Sequence, residues 1–95
     1  MPEMRFHIRW PDGNTETCYS PSLVVKDFFA LGESYPLADF LARSRTALGI
    51  ASDRVKAKYG RPCSLATAQL ARIETAAESF ADLPNARVTV DAFED

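Results

Sequence analysis

The stretch YPLADFLARSRTALGIASDRVKAKYG, residues 35 to 60, decides how this chain folds. Its apolar and small residues Leu37, Phe40, Leu41, Ser44, Leu48, Ala51, Val55 and Tyr59 recur at three- and four-residue steps, which puts them on one side of a 3.6-residue helix. Pro36 suits the first helical position, where a missing N–H costs nothing, and Gly60 suits the left-handed position past the last turn. The same stretch concentrates positive charge. Residues 43 to 61 carry Arg43, Arg45, Arg54, Lys56, Lys58 and Arg61 against the single acid Asp53, a local surplus of five in a chain whose net charge is −2.

Downstream, Arg61-Pro62-Cys63 is a tight connection, and Ser64 is a good N-cap for a second helix. There Ala66, Leu70, Ile73, Ala77 and Phe80 form a stripe that is expected to end near Asp82, before Pro84. Two facing stripes and so short a link predict an antiparallel helical hairpin. From Arg87 to Phe93 the pattern changes to period two, with Val88 and Val90 on one side and Arg87, Thr89 and Asp91 on the other: a strand.

Upstream, Phe6, Ile8 and Trp10 alternate with Arg5, His7 and Arg9, a strand with one covered face and one wet, basic face. Pro11-Asp12-Gly13-Asn14 is turn chemistry, so Thr15 to Tyr19 returns as the second strand of a hairpin. Which of its faces turns inward, Thr15, Thr17 and Tyr19 or Glu16 and Cys18, does not follow from the pattern. Ser20-Pro21-Ser22 interrupts the strand, and a Ser cap favours a short helix over Leu23 to Phe29. Ala30 to Ser34 reads as a loop.

The predicted architecture is α+β: a single domain spanning residues 1–95, with a three-stranded sheet (the N-terminal β-hairpin and the C-terminal strand) packed on an antiparallel helical hairpin. Apolar residues at 46% and charged residues at 25% match ordinary globular usage and argue against disorder. No apolar run approaches a membrane-spanning length and no secretory leader is evident, so a cytoplasmic location, no membrane partner and two free thiols at Cys18 and Cys63 are expected. Nucleic acid fits poorly, because the chain lacks both overall positive charge and aromatic residues interleaved with its cations.

No catalytic constellation, metal site or cofactor motif can be read from the residues. Two Cys and one His fall short of the four ligands of structural zinc, and Gly13, Gly32, Gly49 and Gly60 are too scattered for a phosphate loop. His7, the only imidazole, lies between two cations on the wet face of a strand. Cys63 has two readings: a reactive thiol stabilised by a helix N-terminus and Arg61, or a small hydrophobe packing the inter-helix turn. The basic surface of Arg43, Arg45, Arg54, Lys56, Lys58 and Arg61 likewise reads either as helix-end charge and edge cover or as a binding surface for an anion or acidic partner.

Cys18-Tyr19-Ser20-Pro21-Ser22, Tyr35-Pro36-Leu37-Ala38-Asp39-Phe40, Arg43-Ser44-Arg45, Ala51-Ser52-Asp53-Arg54-Val55 and Tyr59-Gly60 through Cys63 together resemble the small bacterial proteins of the nitrogen starvation response family. The resemblance spans nearly the whole chain. It implies a bacterial cytosolic setting and genes beside a nitrilase-type carbon-nitrogen hydrolase, and it brings no activity or catalytic residue with it. Arg61 stands where relatives are expected to hold an apolar or aromatic residue, so the turn before Cys63 is expected to pack differently. Two functions are therefore expected to compete. One is an accessory protein contacting a product of the same gene cluster, or a second copy of itself, through the helical hairpin or a strand edge. The other is a sensor or minor enzyme recognising an anionic or amide metabolite with Arg43, Arg54, Tyr35 and Cys63.

Overall fold

The computed structural model describes residues 3–95. Alternation makes the first hairpin: β1 (Met4–Arg9) buries Met4, Phe6 and Ile8 and is followed by the buried Trp10, while β2 (Thr15–Ser20) turns Cys18 and Ser20 inward. The inward face of β2 is thus the Glu16, Cys18 and Ser20 side, fixed by the register Phe6↔Cys18 and Ile8↔Glu16. At the turn Gly13 takes a φ of +88°, and Asp12 Oδ1 accepts the Asn14 N–H at 3.0 Å.

Leu23 to Asp27 is a short 3-10 helix, and Ser22 Oγ accepts the Val24 N–H at its start. The junction between the expected loop, which ends at Ser34, and the expected helix, which begins at Pro36, contributes the first departure. Ser34–Pro36 forms a short strand, β3, on the edge of β4 (Arg87–Glu94), so the sheet has four strands in the order β2-β1-β4-β3, every neighbour antiparallel. Three residues ending in Pro carry no usable period, which is why β3 is silent in the sequence.

Helix α1 (Leu37–Tyr59) starts one residue later than the Pro36 signal, with Pro36 itself in the N-cap position, and stops at Gly60, whose φ of +84° and N–H bond to the Lys56 carbonyl close the last turn. Phe40, Ser44, Leu48 and Ala51 are buried as the periodicity requires, joined by Ala47. Tyr59 departs from the stripe: it is 61% exposed, because the end of α1 runs beyond the core. Helix α2 (Ser64–Glu78) has Cys63, not Ser64, at its N-cap, and ends four residues before Asp82, the chain continuing in turns to Asn85. Its buried residues are Ala66, Ile73 and Ala77, and the bonds Cys63 N–H to Ser52 Oγ and Arg45 to Glu74 fix the antiparallel sense.

One irregularity shapes the core. Between His7 and Ile8 the β1–β4 register shifts, Ile8 facing Val90 and His7 facing Ala92, so Asp91 is an extra residue on β4. Strict alternation would put Phe93 on the wet side; the bulge returns it opposite Phe6, against the core. Trp10 closes the other end, edge-on to Phe40 and stacked on Phe80.

Candidate functional site

The six cations singled out by charge fall into two groups. Arg43 and Arg54 lie on the flank of α1 that meets the 3-10 segment. Arg43 donates to the Phe28 carbonyl at 2.7 Å and to Asp39, its guanidinium 4.8 Å above the Tyr35 ring, whose hydroxyl accepts the Ala30 N–H. Arg54 donates to Ser22 Oγ at 2.9 Å, and Arg45, on the opposite flank, pairs with Glu74 of α2. These three arginines are tied into the fold. Lys56, Lys58 and Arg61 are exposed at the inter-helix turn and have no hydrogen-bond or ion-pair partner among the described residues; Lys58 lies 5.5 Å from the Tyr59 ring centre.

That turn also carries Tyr59 and Leu65, two of the four large apolar side chains that stand exposed among the described residues. The turn thus combines exposed cations with exposed apolar side chains. Beneath it a cleft of about 220 Å3 is lined by Glu3, Tyr19, Pro21, Val55, Tyr59 and Cys63. Burial first, then the nearby Cys63 and Glu3 side chains, push the Tyr19 phenol above its ordinary value. Cys63 is half-buried there, its N–H on Ser52 Oγ and its carbonyl accepting from Thr67. Of the four residues named as a metabolite site, Cys63 lines this cleft and Tyr35, Arg43 and Arg54 do not: Tyr35 and Arg43 face each other at the start of α1, and Arg54 bonds Ser22.

His7 is on the outer face of the sheet, Nδ1 paired with Thr17 Oγ1 at 3.0 Å and Nε2 3.3 Å from Glu94. It shares no cleft with Cys63. Cys18 is fully buried, and desolvation, reinforced by Glu16 and only partly offset by Arg72, raises its thiol far above the usual value. Among the described residues no three Cys, His, Asp or Glu side chains converge as a metal ligand set, and no helix is long and apolar enough to cross a membrane. Sequence reasoning did not find Tyr19 as a cleft residue. Its signal would have been the Pro21 break, which ends β2 beside the helix turn.

Fold and site together define a small α+β protein with an exposed, positively charged end above a shallow cleft. The chain belongs to the family of the nitrogen starvation-induced protein NitG, whose family model it matches over residues 5–93. No curated protein and no solved structure matches it.

Proposed function

We propose that this protein is a cytoplasmic accessory protein of a bacterial nitrogen starvation response, acting by contact with an acidic partner protein encoded in the same gene cluster as a nitrilase-type hydrolase. The observation that carries the reading is the turn between the helices: Lys56, Lys58 and Arg61 stand exposed, with no ion-pair partner among the described residues, on the same turn as exposed Tyr59 and Leu65. Exposed cations together with exposed apolar side chains are what an acidic protein surface complements, speeding encounter by long-range attraction and anchoring it by apolar burial. Arg43, Arg45 and Arg54 serve that surface indirectly, by fixing α1 to its neighbours.

The test is affinity capture from nitrogen-starved cells by the protein and by Lys56→Gln/Lys58→Gln. The expected result is capture of one acidic protein of the cluster, weakened by salt and by the substitutions. Equal capture by both forms would refute it.

A second reading, a small-molecule sensor, is favoured by the cleft that brings Cys63 to Tyr19 and Tyr59. Thermal-shift screening against carboxylates, amides and nitriles decides it: a ligand whose stabilisation is lost in Cys63→Ala would replace the docking reading.

A further inference from the structure

We infer that the outer face of α2 is the seam of a homodimer, covered by a second copy of this chain turned end for end. The inference goes beyond the docking reading: it centres on the flank of α2 and shares with that reading only the basic turn at Arg61 and Leu65. On α2 the core side is Ala66, Ile73 and Ala77, while the exposed Leu65, Ala68 and Arg72 recur at three- and four-residue steps along the flank that borders the edge of β2. Leu65 is 61% exposed, and shallow depressions follow this face from end to end. One of about 430 Å3 lies between Leu65, Ala68, Gln69 and the strands at Arg5 and Tyr19; another of about 370 Å3 lies between Ser79, Phe80 and the first hairpin at Asp12. Small side chains along such a face let two helix axes approach closely.

Charge selects the occupant and its direction. At one end of α2 stands the basic turn with Arg61; at the other, Glu78, Asp82 and Asp12 are exposed, and none of these three acids has a cationic partner among the described residues. Exposed apolar residues mark both ends, Leu65 at the first and Leu83 beyond the second. A second copy laid antiparallel sets the basic end of each chain on the acidic end of the other, twice, in a closed two-fold pair. A parallel copy would oppose acid to acid. Midway between Leu65 and Ser79 is Arg72, the residue the two-fold would bring against its own image; it is already bonded to Glu16 at 2.8 Å, so the like charges meet compensated.

Strand addition at β2 is disfavoured by the same helix. Gln69 Oε1 holds the Tyr19 N–H at 2.9 Å, which takes a donor that a pairing strand would need.

Mass measurement by light scattering and sedimentation of the purified full chain tests the inference. The wild type at low ionic strength is expected at twice the chain mass of 10.5 kDa. Leu65→Lys/Ala68→Glu, both exposed positions, is expected to halve that mass with unchanged far-ultraviolet circular dichroism. Glu78→Lys/Asp82→Lys and Arg61→Glu are each expected to weaken the dimer, and their equimolar mixture to restore it as a heterodimer. A monomeric wild type, or a dimer that survives Leu65→Lys/Ala68→Glu, overturns the seam; weakened variants that do not rescue each other overturn the antiparallel sense. None of these readouts depends on a protein partner being captured, so the failure of the dimer and the failure of the docking reading are told apart.

Discussion

Ser44 sits at the middle of the buried face of α1, 1% exposed, and its hydroxyl has no hydrogen-bond partner among the described residues. Replacing it with alanine should therefore stabilise the protein, against the usual direction of a core substitution. An unpartnered buried hydroxyl costs on the order of 1–3 kcal/mol, and alanine in a helix interior gains roughly 0.5 kcal/mol over serine. Against this, deleting one oxygen leaves a gap of roughly 20 Å3, worth about 0.5 kcal/mol at ~24 cal/mol per Å3. The net gain at the lower end is about 1 kcal/mol, or roughly 5 °C in Tm for a chain of this length. Urea unfolding followed by circular dichroism measures it as a higher midpoint at unchanged slope, which separates a native-state gain from a change in the denatured state. A Ser44→Ala protein less stable than wild type by 0.5 kcal/mol or more, on the order of one retained neutral hydrogen bond, would mean that the hydroxyl is satisfied and the reasoning wrong.

The other predictions concern neighbouring features. Ser22→Ala should destabilise by about 1–2 kcal/mol in the same urea assay, since Ser22 Oγ accepts both the Val24 N–H and Arg54. Ile73→Ala, at a wholly buried site between α2 and the sheet, should cost about 3 kcal/mol. Gly60→Ala should cost about 1 kcal/mol through backbone strain alone, because φ is +84° while an added Cβ would meet no atom within 4 Å. Native protein should react with iodoacetamide at Cys63, and at Cys18 only after unfolding. The raised thiol of Cys18 also gives a sign to pH dependence. Below 9.0, its ordinary value, folded and unfolded chains both keep the proton and stability is unaffected; above it the unfolded chain loses the proton first, so stability should fall as pH rises, an effect absent in Cys18→Ala.

The long elements were legible because each repeats its message. Ala66, Ile73 and Ala77 or Phe6 and Ile8 state a period several times over, and Gly60 marks a stop that only a left-handed residue satisfies. Two features failed for lack of repetition. The strand Ser34–Pro36 is too short to show alternation, and the bulge at Asp91 is a single-residue offset that pairing with β1, not local pattern, reveals. The fate of the charges was only half legible. The charge surplus over residues 43 to 61 was plain, but that Arg43 and Arg54 reach Phe28 and Ser22 depends on where the 3-10 segment folds back, a long-range matter. The cleft under the turn gathers residues from three segments far apart in sequence, at Glu3, Tyr19–Pro21 and Val55–Cys63, so no local spacing could announce it.

The two inner strands of the sheet, β1 and β4, are the first and last elements in sequence, and β4 slots between β1 and β3. Local pieces can assemble early, since the first hairpin and the paired helices each join near neighbours. The sheet itself stays open until β4 arrives, at the largest loop-closure cost the chain has to offer. Refolding should therefore wait on that insertion, and a nascent chain would carry Phe6, Ile8 and Val25 uncovered on their sheet side until synthesis had passed the end of β4.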